Sequence, residues 1–101
     1  MSQPSKVSNS STVKAIPDQV SSDLAGEAVI LNLNSGVYFG LNEVGARIWN
    51  LLQEQTTAND IQSVLLEEYE VEPEQLHSDT LALVQELASV GLVEVKDEAT
   101  A

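Results

Sequence analysis

The chain has 101 residues, with 16 acidic against 4 basic side chains, a formal net charge of −12, a sequence pI near 4.1 and no cysteine. This length supports one domain with a modest core, and such acidity opposes phosphate contacts, which need clustered Lys and Arg, so nucleic acid is excluded as a partner. The lack of cysteine removes disulfides, a thiolate nucleophile and Cys-based zinc sites.

The N-terminal stretch carries Lys6 and Lys14 but no apolar signal region, and the longest apolar run, "AVIL", is far too short to span a bilayer. The expectation is a cytoplasmic protein with no membrane partner. The polar ends, residues 1–14 "MSQPSKVSNSSTVK" and 96–101 "KDEATA", are too poor in apolar residues to join a core, and are expected to be disordered tails around a folded domain at 15–95.

Residues 13–41 have β texture. Residues 19–24, between Pro17 and Gly26, read as a first strand. Residues 28–33 read as a second, with Val29, Leu31 and Leu33 on one face and Ile30 and Asn32 on the other. Asn34-Ser35-Gly36 supplies turn chemistry, because Asn tolerates and Gly favours left-handed backbone. A third strand follows at 37–41, and its row of Val37, Phe39 and Leu41 is expected to share a buried side with Val29, Leu31 and Leu33.

Residues 42–91 have helical texture. Asn42 is a candidate N-cap for a helix reaching about Gln55, with an apolar stripe of Val44, Ile48, Leu51 and Leu52. "TAND" at 57–60 reads as a capping box for a second helix bearing Ile61, Val64, Leu65 and Tyr69. A third helix opens at Glu72-Pro73 and stops at Gly91, and "LVEV" at 92–95 is a short extended piece returning to the core.

The third helix carries Leu76, Thr80, Leu83, Leu87 and Val90 on one face, flanked by Leu81, Val84 and Ala88. So wide an apolar arc either contacts the sheet and both other helices or walls a groove. With residues 28–33 in the middle of the sheet, the strand at 37–41 is an edge carrying no Lys or Pro to block pairing. Such an edge is covered by a loop or a second copy, or it accepts an extended peptide that gains backbone hydrogen bonds from the strand.

The runs "GVYFGLNEVGARIWNLL", "ANDIQSVLLEEYEV" and "DTLALVQELASVGLVEV" resemble the PqqD family, small peptide chaperones also called RiPP recognition elements, over residues 19–95. The strand-to-helix junction "YFGLNEVGARIW" and the "GLV" close are the most specific parts. The resemblance implies an α+β, winged helix-turn-helix-like fold, a three-stranded antiparallel sheet followed by three helices. It also implies that the leader segment of a ribosomally made precursor peptide is bound as an added strand, between the third strand and the third helix. The leader would then be delivered to a leader peptidase or another modifying enzyme. Carried over by position, the strand wall is Val37, Tyr38, Phe39, Gly40 and Leu41, and the helix wall is Leu76, Asp79, Thr80, Leu83, Val84 and Leu87. The competing places are the core for Phe39 and Leu41, the outer sheet face for Tyr38 and a solvated helix surface for Asp79.

A winged-helix DNA binder shares that topology, but residues 71–90 contain no Lys or Arg. An acyl or peptidyl carrier is also small and acidic, yet "HSDTL" around Ser78 lacks the Asp-Ser-Leu order of an attachment site. With one His and no Cys the chain offers little for catalysis, and His77 reads as an exposed or groove-edge residue. The expectation is a non-enzymatic peptide chaperone without cofactor or metal, monomeric or weakly dimeric, serving a lasso-peptide or similar pathway.

Overall fold

The computed structural model describes residues 11–96. In chain order it has β1 (Thr12–Ala15), β2 (Gln19–Leu24), β3 (Glu27–Asn32), β4 (Tyr38–Leu41), α1 (Glu43–Leu51), β5 (Thr56–Thr57), α2 (Ala58–Glu68), α3 (Pro73–Ser89) and β6 (Val93–Lys96). The expected three-stranded antiparallel sheet followed by helices is present as β2-β3-β4 with β3 central. A second antiparallel sheet, β5-β1-β6, was not anticipated.

That second sheet corrects the N-terminal boundary. Thr12, Val13 and Lys14 do not belong to a tail: they pair with β6 in the register Thr12↔Lys96, Val13↔Val95 and Lys14↔Glu94, and Val13 is buried. Lys96 likewise ends a strand, while residues 1–10 and 97–101 of the two expected tails lie outside the described residues. The backbone N–H groups of Ala15 and Ile16 bond to the carbonyls of Leu52 and Leu92, fastening this small sheet to the ends of α1 and α3.

The helix boundaries follow local chemistry. Asn42 caps α1, its side-chain oxygen accepting from the Gly45 N–H at 2.8 Å, and Thr57 caps α2 by accepting from the Asp60 N–H at 3.1 Å. α1 stops at Leu51, short of the expected Gln55, because the chain tightens there and then straightens to bring Thr56 and Thr57 beside β1. Pro73 opens α3, and Gly91 at φ +76° closes it in a Schellman arrangement: Leu92 N–H bonds to Leu87 C=O and Gly91 N–H to Ala88 C=O. An α1–α2 clasp comes from the two-pronged Arg47–Glu68 ion pair, at 2.9 and 2.6 Å. Its hydrogen bonds hold the Glu68 carboxyl below the usual carboxylate range.

The buried face of the main sheet is the opposite of the one expected for β3. Phe39 lies across from Ile30 and Leu41 across from Ala28, so Ala28, Ile30 and Asn32 face the helices with them. Leu33 is exposed, and Val29 and Leu31 are only half covered. The cause is the turn. Leu33 joins the loop instead of the strand, and a one-residue change in loop length moves every side chain of one strand to the other face relative to its partner.

Asn32 makes the inward register tenable for a polar residue. Its amide donates to the carbonyls of Val90 and Gly91, and its oxygen accepts from the N–H groups of Asn34 and Ser35, joining the hairpin turn to the end of α3. The core between sheets and helices centres on Ile30, Trp49, Leu52, Ile61, Leu65, Val84, Leu87 and Leu92, all at most 2% exposed.

Candidate peptide groove beside the open strand edge

Among the described residues, only one side of β4 is paired, to β3. The hydrogen bond from Asn32 N–H to Val37 C=O, at 2.9 Å, sets the alternation along the ladder. Phe39 and Leu41 therefore direct their backbone groups toward β3, whereas Tyr38 and Gly40 direct N–H and C=O to the open edge. Gly40 has nothing within 4 Å of where a Cβ would stand, so another chain can approach closely at that point.

Beneath this edge lies a groove of about 420 Å3. Phe39, Gly40 and Leu41 of β4 form one wall, and Leu76, Asp79, Thr80 and Leu83 of α3 form the facing wall. Val44, Gly45 and Ile48 of α1 make the floor, while Val71, Gln75 and Glu86 extend the rim. Gly45 permits this close junction: a Cβ there would stand 3.2 Å from Leu41 Cδ2 and 3.3 Å from Asn42 Oδ1. Asp79 accepts a hydrogen bond from the Gln75 amide at 3.0 Å, which holds the carboxylate at the rim.

Seven of the eleven expected site residues thus line one groove: Phe39, Gly40, Leu41, Leu76, Asp79, Thr80 and Leu83. The other four do not. Val84 and Leu87 are 0% exposed and belong to the core, because α3 turns that side of its apolar arc toward the other elements. Tyr38, 69% exposed, projects from the outer face of the sheet. Val37 precedes β4, and its N–H bonds to the Ser35 hydroxyl in the turn. The sequence reading missed the α1 floor, since the Val44–Ile48 spacing that signals it is the same for a core helix. It also missed Val71, Gln75 and Glu86.

His77 is half buried against α2, with Nδ1 3.4 Å from Gln62 Oε1, and takes no part in the groove. Ser78, the residue considered for carrier attachment, is an exposed residue within α3. Among the described residues, no group of three or more His, Asp or Glu is placed to hold a metal, and no helix is long and apolar enough to cross a membrane.

The sequence pattern of the family described as "Coenzyme PQQ synthesis protein D (PqqD)" matches residues 27–93, a span reaching from β3 through the start of β6. The chain belongs to the PqqD family. Two solved structures are similar to this PqqD-family chain across nearly their whole length. One is "TbiB1 in Complex with the TbiA(beta) Leader Peptide", 34% identical, with a TM-score of 0.73, covering 87% of this chain and 98% of that one. The other is "Lasso peptide synthetase B1 complexed with the leader peptide", 29% identical, with a TM-score of 0.70, covering 81% and 96%. No curated protein matches the chain at a significant level.

Proposed function

We propose that this PqqD-family chain is a non-catalytic RiPP recognition element, which binds the leader segment of a ribosomally synthesised precursor peptide. The leader adds as a strand along β4, pairing with the outward backbone groups of Tyr38 and Gly40, while alternate side chains enter the groove against α3. The bound leader is then handed to a leader peptidase or another modifying enzyme in the cytoplasm. A lasso-peptide pathway is favoured by the likeness to a lasso peptide synthetase B1.

The observation that carries this reading is the unpaired edge of β4 above a groove of about 420 Å3, which gives one ligand both backbone partners and apolar pockets. It is supported by similar chains having been solved with leader peptides bound.

The test is a backbone-amide NMR titration of the labelled chain with the leader encoded by a short precursor reading frame beside this gene. Saturable shifts concentrated on β4 and on the groove side of α3 are expected. Shifts confined to the β5-β1-β6 sheet or the outer face of α2 would refute the assignment.

A further inference from the structure

The accessible stripe of α3 in the groove reads Asp79, Leu83, Glu86, at spacings of four and three residues, so the three side chains lie on one side of the helix as acid, apolar, acid. Neither acid has a cationic neighbour in the groove, whose lining contains no Lys or Arg. Among the described residues the Lys and Arg side chains are Lys14, Arg47 and Lys96. Arg47 is held by Glu68, and both lysines belong to the β5-β1-β6 sheet.

A second feature of the same wall is independent of charge. Thr80, next to Asp79, is 0% exposed and borders the groove, and its hydroxyl is buried without a hydrogen-bond partner among the described residues. A hydroxyl in a helix can ordinarily turn back to a carbonyl of the preceding turn. Left unpaired, it is a polar group at the groove wall that an occupant can satisfy only by displacing the atoms that cover it.

Resting on the leader-binding reading, we infer that the groove selects leaders carrying Lys or Arg on both sides of an apolar residue, in the pattern basic-x-apolar-x-basic. Asp79 and Glu86 are about 10.5 Å apart along the helix axis at 1.5 Å per residue. An extended peptide laid beside α3 places groove-facing side chains about 6.6 Å apart, so residues i and i+4 span about 13 Å. The long, flexible arms of Lys and Arg close that difference. Residue i+2 then meets Leu83 above the floor of Val44 and Ile48. An acidic leader with the same apolar residue would bring like charges together at both ends of the stripe.

The experiment selects random twelve-residue peptides by display against the full chain, then maps one enriched peptide by amide NMR and measures its affinity. Lys or Arg should be enriched at two positions four apart, with an apolar residue midway. The Asp79→Asn/Glu86→Gln double variant should bind that peptide about 2- to 30-fold more weakly, the range expected for two exposed ion pairs. It should bind an analogue with Met at the two basic positions as tightly as the wild type does.

A Glu67→Gln/Glu70→Gln variant makes the same charge change at exposed positions outside the groove and should leave affinity unchanged. Equal weakening by both double variants would assign the preference to the whole acidic surface and overturn the inference. Groove-bound peptides without basic enrichment would overturn it while leaving the leader-binding reading intact. Peptides mapping away from β4 and α3 would remove both.

Discussion

Gly40 is the position where the backbone contribution of the β4 edge can be tested with the smallest change of side chain. Its N–H points to the open side of the strand, its Cβ position is empty to 4 Å, and its φ is not positive, so Ala suits the site, and Pro there falls on an edge strand, where a missing N–H leaves the ladder whole. Gly40→Ala keeps the donor and restricts the unfolded chain, which then loses less conformational entropy on folding, so stability is expected to rise by about 0.4–1 kcal/mol. Gly40→Pro removes the donor without breaking the ladder to β3, because that ladder uses Phe39 and Leu41. Loss of one net hydrogen bond is worth about 0.5–1.5 kcal/mol, which weakens leader binding roughly 2- to 13-fold relative to Gly40→Ala. Crowding by the proline ring against the incoming strand adds to this. The assay is fluorescence anisotropy with a labelled leader, with circular dichroism melts run on both variants. Equal affinities for folded Ala and Pro variants would refute the claim that an added strand pairs with β4 at Gly40.

Three further outcomes follow from the same geometry. Leu83→Ser, on the half-buried groove wall, should weaken leader binding in anisotropy titrations with a smaller loss of stability than Leu87→Ala, whose side chain is 0% exposed and whose truncation should cost about 2–5 kcal/mol in denaturant melts. Asn32→Ala strands the carbonyls of Val90 and Gly91 and the turn N–H groups of Asn34 and Ser35, and should lower unfolding stability by about 1–3 kcal/mol. The Arg47–Glu68 pair depresses the Glu68 carboxyl below its ordinary 4.5, so its contribution is present above that pH and lost as pH falls through the lower folded value. Glu68→Gln should therefore melt below the wild type at neutral pH and low salt, and the gap should close in acid and in concentrated salt.

Features written in adjacent residues were legible in the sequence. Asn42, Thr57 and Gly91 fix helix ends through bonds between residues at most a few positions apart, Pro73 opens α3 through its fixed φ, and all appear where the sequence puts them. Features that depend on distant partners were not. β1 is four residues of modest apolarity, and it becomes a strand because β6 meets it across a sequence separation of 84. The hairpin register turned on whether Leu33 belongs to the strand or the loop, and Asn32 decides it by bonding both the turn and the end of α3. The same limit governs the site. Periodicity identifies the apolar arc of α3, but Leu83 and Val84 look alike until the other elements are in place to bury Val84 and leave Leu83 on the groove.

The charge on that arc gives a physical reason for the use of this topology. A winged-helix arrangement that enters DNA presents cations on its reading helix, because counterion release by Lys and Arg supplies most of the attraction to phosphate. Here the exposed stripe of α3 offers Asp79 and Glu86 with Leu83 between them, and the neighbouring β4 edge offers unpaired backbone. A duplex would meet repulsion from the acids and find no use for the strand edge. An extended peptide bound as proposed would meet both with complementary groups: its backbone would pair with Tyr38 and Gly40, its apolar side chain would fill the space over Val44 and Ile48, and its cations would reach the rim. The acids that make nucleic-acid binding unfavourable are thus compatible with the proposed peptide-binding role, which draws as well on the apolar floor and the strand edge.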